Sequence, residues 1–324
     1  MAEGAAPDSE AICLVIGGGL IGSHTATELL ERGHPVTVYS RSFSNGLEDA
    51  PERGSGLELV SGEIADARLD GLVAAAEIVF LLAGSSTPAL SDRDPVASVS
   101  GSLEPGLIVL EAARRGSTKR VVLASSGGTV YGNVDQVPTP EDAPLRPISV
   151  HGVNSLALEG YAAMYARKHG LEPIVLRYSN VYGPGQRSRH GQGVIAAWLD
   201  ALSRDRPIEL IGEDAVQRDF VFADDAARAT ADAALLAERP GTYNVGGETH
   251  SLAEVLELIE SASGRRLEVQ RSPGREVDVP VTGLDCSRLL GQTGWQPAVS
   301  LPDGIARTWA AVQRAEQSAA QGLS

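Results

Sequence analysis

The chain has 324 residues, of which 43% are hydrophobic, so it can bury the core of one large α/β domain or of two closely joined lobes. Its 27 Lys and Arg residues against 42 Asp and Glu residues give a formal net charge of −15. A surface this acidic repels phosphate backbones and anionic lipid, which argues against nucleic-acid and membrane-surface binding. An anionic small ligand would need a local basic pocket.

The two cysteines, Cys13 and Cys286, cannot form a disulfide framework, and no Cys/His cluster has zinc-ligand spacing, so we predict no metal. No stretch reaches the roughly 18 apolar residues of a membrane span. The segment 1–10 is acidic and small rather than basic and then apolar, which is not typical of a signal peptide. These features predict a cytoplasmic protein.

Strand and helix patterns alternate between loose termini at 1–10 and 313–324. In the first half, the predicted strands are 11–16, 36–39, 57–60, 78–83 and 120–124, and the predicted helices are 20–31 and 96–115, the latter interrupted by Pro105. This βαβαβ rhythm predicts an α/β fold with a doubly wound, Rossmann-type parallel sheet.

The second half alternates in the same way but with longer polar connections. Its predicted strands are 173–177, 208–211, 219–222 and 242–245, its predicted helices are 152–169, 194–203, 224–236 and 252–263, and 180–193 is a predicted loop. We therefore predict an NAD(P)-binding domain at 11–178 and a smaller substrate-binding lobe at 179–312, with some chain crossing back.

A glycine cluster lies between the first predicted strand and helix. Gly17, Gly19 and Gly22 fit G-x-G-x-x-G, with Leu20 and Ile21 opening the helix. In this context the first glycine permits a tight turn, the second admits a pyrophosphate, and the third lets helix and strand pack closely. The pattern predicts a dinucleotide site at the helix N-terminus, and the alternative is a purely structural turn.

The end of the second predicted strand indicates which dinucleotide binds. NAD sites usually carry an acidic residue there, whereas this chain has Ser40 and Arg41. A guanidinium can pair with a 2′-phosphate, which slightly favours NADP over NAD. The alternative is a solvated surface arginine.

Several segments together resemble the extended short-chain dehydrogenase/reductases, especially the UDP-galactose 4-epimerase and nucleotide-sugar epimerase/dehydratase group. The matching segments are residues 17–24, 81–84, 125–132, 176–185, 218–221 and 290–295. The resemblance implies the predicted fold and an NAD(P)-dependent epimerase, dehydratase or ketoreductase. It also implies further cofactor contacts at Glu63, Ile64, Leu82, Ala83 and Gly84.

The same resemblance implies a nucleotide-sugar or other polyhydroxylated substrate bound by the second half. Asn180, Arg218 and Arg275 match residues on the diphosphate side, and Asp278 matches an acid that holds the ribose. Arginine forks suit phosphate and a carboxylate suits hydroxyls. Internal salt bridges are the alternative role for these side chains.

The catalytic residues depart from the family pattern, which uses a Tyr-x-x-x-Lys pair and a preceding Ser or Thr. His151 stands at the Tyr position and Ser155 at the Lys position. Gly127 takes the Ser/Thr position, with Ser126 adjacent as a possible substitute, and Ser102 replaces a usual Asn. Histidine is an acid/base group at neutral pH without help from a lysine, so we predict His151, Ser126 and Ser155 as the catalytic set, with Ser126 also touching substrate.

Three interpretations remain open. The first is an NAD(P)-dependent enzyme with His151 as acid/base; the second is a non-redox lyase, isomerase or cyclase on the same scaffold. The third is a nucleotide-binding pseudoenzyme with a regulatory or scaffold role. The resemblance also implies a homodimer, formed through the helix that carries His151.

Overall fold

The computed structural model describes residues 11–43, 47, 56–84, 88–186, 193–274 and 279–320. Its strands are Cys13–Ile16 (β1), Val36–Ser40 (β2), Leu57–Ser61 (β3), Ile78–Leu81 (β4), Arg120–Ser126 (β5), Glu172–Tyr178 (β6), Asn180–Tyr182 (β7), Ile208–Ile211 (β8), Gln217–Phe222 (β9), Gly241–Val245 (β10), Glu248–Ser251 (β11) and Val269–Ser272 (β12).

The helices alternate with these strands. They are Leu20–Glu31 (α1), Ala67–Ala75 (α2), Pro88–Arg93 (α3), Pro95–Ser98 (α4), Glu104–Arg115 (α5), Val150–His169 (α6), Val194–Ser203 (α7), Ala223–Leu235 (α8), Leu252–Ser263 (α9), Ser287–Thr293 (α10) and Leu301–Ala320 (α11). A π-helical turn, Val99–Leu103, joins α4 to α5 and precedes Pro105 near the start of α5.

Seven strands form one parallel sheet in the order β10-β6-β5-β4-β1-β2-β3. Its inner strands are apolar on both faces, and alternate residues such as Leu14 and Val15 enter different core clusters. Helices α1 and α8 cover one face, and α2, α5 and α6 cover the other. The strand order reverses between β1 and β4, which is where doubly wound folds bind nucleotides.

The remaining strands form two small sheets beside the large one. Strands β11, β9 and β7 form one, and β12 and β8 form the other. Aromatic side chains fill the core beneath them, including Tyr182, Trp198, Phe222 and Trp309. Because β10 joins the large sheet, the second half of the chain contributes strands both to the large sheet and to the two small sheets.

Several sequence-based assignments are wrong in detail. The predicted loop 180–193 begins with strand β7, and the predicted loose end from 313 continues α11 as far as Ala320. The helical segment Pro95–Arg115 is long and apolar enough to span a membrane, whereas the sequence analysis expected no such segment. Its inward residues Val109 and Leu110 are nevertheless fully buried in the core beneath the sheet.

Candidate active site

The glycine turn after β1 has a backbone that only glycine tolerates. Gly17 has φ of +116°, and a Cβ there would lie 2.6 Å from the backbone nitrogen of Ala83. A Cβ on Gly22 would collide with the carbonyl oxygen of Gly17. The turn therefore brings the start of α1 directly against the residues that follow β4.

The space in front of this turn is open. Gly19 is the N-cap of α1, no described side chain caps the helix there, and no described heavy atom lies within 4 Å of a Cβ built on Gly19 or Gly84. Backbone N–H groups at a helix N-terminus attract phosphate. Gly19, Leu20 and Ile21 thus fit a dinucleotide pyrophosphate, with Leu82, Ala83 and Gly84 along the other side of the crevice.

The far side of the crevice is formed by the ends of β2 and β3. The Ser40 hydroxyl donates to the Ser42 carbonyl oxygen at 2.8 Å, and Arg41 is exposed. The Tyr39 hydroxyl donates to the Glu63 carbonyl oxygen at 2.8 Å, which fixes the chain before Ile64. Arg41 and Glu63 are both exposed at this edge.

Helix α6 begins against the loop that follows β5. Ser149 caps the helix by accepting from the Gly152 N–H at 3.2 Å. A Cβ on Gly152 would lie 2.7 Å from the Thr129 carbonyl oxygen, so glycine permits this close packing. His151 therefore lies in the first turn of α6, near the carboxyl ends of the strands.

The His151 side chain is half-buried, and burial lowers its pKa below the ordinary value of 6.5. The Asp92 carboxylate acts in the opposite direction and raises the pKa by a smaller amount. Among the described residues, the buried Nδ1 atom of His151 has no hydrogen-bond partner. Burial therefore favours the neutral imidazole over the imidazolium at this place.

Position 155 supplies no charge to the site. The Ser155 hydroxyl donates to the His151 carbonyl oxygen at 2.9 Å, inside the helix. The prediction of a catalytic Ser155 is therefore not supported by its geometry, because its proton is already engaged. Beside it, the Asn154 amide donates to the hydroxyls of Ser98 at 3.0 Å and Ser102 at 3.2 Å.

Position 127 is crowded by a side chain from a distant segment. A Cβ on Gly127 would lie 2.5 Å from Cδ1 of Leu284 and 3.1 Å from the Arg177 carbonyl oxygen. Ser126 ends β5, opposite Tyr178. Alternation along the strand points Ser126 away from Ser125, whose hydroxyl reaches Glu159 on α6. This geometry argues against Ser126 as the hydroxyl partner of His151.

A buried polar network joins α6 to β6 and to the loop that follows β5. The Arg177 guanidinium donates to both oxygens of Glu159, at 2.7 and 3.1 Å, and to the Tyr131 hydroxyl at 2.9 Å. Tyr131 in turn donates to the Asn244 amide oxygen at 2.7 Å. Burial raises the pKa of Tyr131, and its hydroxyl is engaged with Arg177 and Asn244.

On the substrate side, the predicted polar residues are engaged with backbone carbonyls. The Asn180 amide donates to the Asp219 carbonyl oxygen at 2.8 Å. Arg218 donates to the carbonyl oxygens of Gln217 at 2.9 Å and Val279 at 2.8 Å. Arg275 and Asp278 lie outside the described residues, directly before Val279.

The model of the NAD dependent epimerase/dehydratase family matches residues 13–246, which is more than half of the chain. The chain belongs to this family. It is 35% identical over 295 residues to the UDP-glucose 4-epimerase of Mycolicibacterium smegmatis, covering 90% of this chain and 94% of that protein. The predicted resemblance to the extended short-chain dehydrogenase/reductases is confirmed.

Solved structures agree with this assignment. The UDP-glucose 4-epimerase of Thermotoga maritima, solved with UDP-glucose, has a TM-score of 0.87 at 30% identity, covering 94% of this chain and 99% of that one. The enzyme of the same name from Thermus thermophilus, solved with NAD, has a TM-score of 0.84 at 32% identity, covering 93% and 98%. The predicted Rossmann-type fold is confirmed.

Sequence reasoning missed two residues that shape the site. Asp92 was not singled out because α3 is too short for a periodic pattern. Leu284 follows the second small sheet and is far from Gly127 in the chain, so no local signal connects them.

Proposed function

We propose that this protein is an NAD(P)-dependent enzyme that acts on a nucleotide-sugar, with His151 in place of the family tyrosine as the acid/base. The observation that carries the proposal is the half-buried imidazole at the start of α6, in a fold whose β1–α1 glycine turn fits a dinucleotide. The substrate class comes from family membership and from relatives named for UDP-sugars.

The proposed chemistry uses the neutral imidazole. His151 accepts the proton of a sugar hydroxyl, and the resulting imidazolium returns a proton to the carbonyl oxygen when the reaction reverses. A bound nicotinamide supplies the hydride acceptor. A tyrosine, with an ordinary pKa of about 10, needs a lysine to make it basic at neutral pH, whereas histidine does not. The absence of a lysine at position 155 is therefore compatible with proton transfer.

The dinucleotide we propose is NADP, with NAD as the alternative. Arg41 is exposed at the carboxyl end of β2, and the described residues 40–43 include no acidic side chain. A guanidinium at this place can form charge-assisted hydrogen bonds to a 2′-phosphate. The related Thermus thermophilus structure contains NAD, so the two forms must be compared directly.

The nucleotide-sugar would lie between the large parallel sheet and the two small sheets. We propose that Asn180, Arg218 and Arg275 border its diphosphate, and that Asp278, in the same segment as Arg275, holds the nucleotide ribose. Arg218 braces the carbonyl oxygen of Val279, which connects it physically to that segment. The two arginines supply the local basic pocket that an acidic protein requires.

The first test is mass spectrometry of the small molecules released by denaturing freshly purified protein. NADP or NAD released in stoichiometric amount, or bound on addition, supports the proposal. Failure to retain or bind either dinucleotide refutes the redox function. A second test restores the family pair with His151→Tyr and Ser155→Lys. The double variant should convert nucleotide-sugars faster than the wild type if the replacements at positions 151 and 155 alone limit the family reaction.

One observation favours a second candidate, a nucleotide-binding pseudoenzyme. Ser155 is engaged with the helix backbone, and position 127 is a glycine that offers no hydroxyl. Two of the three family catalytic positions thus offer nothing to a substrate. A protein that binds dinucleotide and UDP-sugar without turnover in either the wild type or the restored variant would support this candidate.

We further propose that the protein is a cytoplasmic homodimer. Val96, Val99, Val153 and Tyr161 are large apolar side chains left exposed on the outer side of the helical layer, with Val96 79% exposed. Leu158, in contrast, packs inward against Gly106. Exposed apolar side chains on neighbouring helices are typical of helix-to-helix association. Light scattering of the purified protein measures the oligomeric state.

A further inference from the structure

The carboxylate of Asp219 joins two segments that follow it in the chain. Asp219 lies on β9 and is 1% exposed. Its Oδ1 accepts from the Gly247 N–H at 2.7 Å, and its Oδ2 accepts from the Leu284 N–H at 2.8 Å. Burial raises the pKa of this carboxyl, and the two backbone N–H groups act in the opposite direction. One buried side chain therefore helps to fix where both backbones lie relative to β9.

Residues 279–285, called the bridging segment from here on, are attached to β9 by further hydrogen bonds. The Arg218 guanidinium donates to the Val279 carbonyl oxygen at 2.8 Å. The Asp219 N–H donates to the Thr282 hydroxyl oxygen at 3.3 Å. The bridging segment is thus held at its first residue and at its middle, in addition to the contact with the buried carboxylate.

The bridging segment also contacts the loop that follows β5. The Thr139 N–H donates to the Gly283 carbonyl oxygen at 2.8 Å, and the Thr139 carbonyl oxygen accepts from the Asp285 N–H at 2.9 Å. A cavity between the loop and the bridging segment is lined by Gly127 on one side and by residues 281–284 on the other. The bridging segment therefore forms one wall of a cavity at the loop that carries position 127 of the family catalytic set.

Asp219 is also connected to the two described side chains that we propose for the diphosphate. Its carbonyl oxygen accepts from the Asn180 amide at 2.8 Å. Arg218 is the residue directly before it on β9. Asp219 therefore links Asn180, Arg218 and the bridging segment in one set of hydrogen bonds.

We propose that Asp219 is a positioning residue for the nucleotide-sugar, one that fixes the bridging segment as a wall of the binding site without touching the ligand. This inference rests on the proposed function, in which Asn180 and Arg218 border the diphosphate. A wall that is already in place spares the ligand the cost of ordering it on binding. The dinucleotide, in contrast, lies at the β1–α1 turn of the large sheet, so its binding should not depend on Asp219.

Asp219→Ala tests the proposal because it removes both acceptors. Hydrogen–deuterium exchange followed by mass spectrometry should show faster exchange of the amides 281–285 in the variant than in the wild type, without any ligand present. Calorimetry with UDP-glucose and with NADP measures the consequence for binding. The affinity for UDP-glucose should fall about tenfold or more, because two hydrogen bonds to a charged acceptor are lost, while the affinity for NADP should stay unchanged.

Asp225→Ala is the matched control. Asp225 is likewise 1% exposed, and its Oδ2 accepts from the N–H groups of Ala298 at 3.0 Å and Val299 at 2.8 Å. It therefore holds a different segment in the same way. The control should speed exchange at residues 298–299 and leave the exchange of the bridging segment and the affinity for UDP-glucose as in the wild type.

The inference is overturned if the bridging segment exchanges as slowly in Asp219→Ala as in the wild type, or if it exchanges faster while UDP-glucose binds equally well. It is also overturned if Asp225→Ala weakens UDP-glucose binding to the same extent, because both effects would then reflect general destabilisation. Asp219→Asn covers the case in which Asp219→Ala does not fold. With one acceptor left it should weaken UDP-glucose binding by a smaller factor, and unchanged binding would again overturn the inference.

The exchange measurement separates this inference from the proposed function. If the wild type binds NADP but no UDP-glucose, the proposed substrate class is wrong and the positioning role fails with it. Faster exchange in Asp219→Ala would then show that Asp219 holds the bridging segment for a structural reason alone. If the wild type binds UDP-glucose and Asp219→Ala changes neither exchange nor affinity, the proposed function stands and the role of Asp219 fails.

Discussion

Replacing Arg177 with methionine tests how the structure holds the helix that carries His151. Arg177 is 3% exposed, and its guanidinium donates to Glu159, to the Tyr131 hydroxyl and to the Glu141 carbonyl oxygen. Since Glu159 lies on α6, these bonds join the helix to β6 and to the loop after β5. Methionine fills much of the same volume and makes none of them.

The expected cost follows from the charge that is left behind. Without Arg177 the Glu159 carboxylate, whose side chain is 10% exposed, keeps only the Ser125 hydroxyl as a described partner. Removing one partner of a buried ion pair costs about 3–5 kcal/mol. Arg115→Met is the matched control, because Arg115 and its partner Asp70 are 49% and 52% exposed. Exposed pairs of this kind contribute about 0–1 kcal/mol.

Urea unfolding of each variant gives the free energy of unfolding. Arg177→Met should lose several times more stability than Arg115→Met, and adding Glu159→Gln to Arg177→Met should recover part of the loss because no charge then remains unpaired. The reasoning is refuted if Arg177→Met costs no more than the control, or if the double variant is as unstable as the single one.

Because burial lowers the pKa of His151 from 6.5, the unfolded chain takes up a proton at this residue at higher pH than the folded chain does. In urea titrations, the free energy of unfolding of the wild type should therefore fall relative to that of His151→Gln as the pH drops below 6.5. A difference between the two free energies that does not change with pH contradicts this. Gly127→Ser should cost about 1–3 kcal/mol through overpacking, and less in a Leu284→Ala background; equal costs in both backgrounds would mean that the two positions do not interact. Arg41→Gln should weaken NADP binding about tenfold or more in calorimetry while leaving NAD binding unchanged, and equal effects on both would exclude the 2′-phosphate contact.

Local patterns predicted most of the fold. The apolar run before Gly17 and the glycine turn fix β1 and α1 because their requirements lie within a few residues. Helices α7 and α9 have the predicted bounds because their apolar periodicity begins and ends cleanly. The end of α11 was misjudged, since an Ala- and Gln-rich sequence gives no burial signal although Trp309 anchors the helix to the core.

The site was only partly predictable, because several of its contacts join segments that are distant in the sequence. Replacement of the family Tyr by His151 is visible in sequence, but the surroundings that lower its pKa are not. Asp92 meets the start of α6 only because α3 packs on that helix, and Leu284 reaches Gly127 only through the tertiary fold. Contacts between distant segments depend on packing, which no spacing rule encodes.

The most direct test of the proposed function is the conversion of UDP-glucose, UDP-galactose or UDP-glucuronic acid by the protein supplied with NADP or NAD. Chromatography of the nucleotide-sugars and absorbance of the reduced nicotinamide follow the reaction together, because a reaction that returns the hydride to the sugar leaves no net reduction. The proposed mechanism predicts conversion of at least one sugar by the wild type and a rate about 10²- to 10⁴-fold lower in His151→Gln. Equal rates in both proteins would contradict the role of His151, and a wild type that converts none of these sugars would contradict the proposed enzyme function.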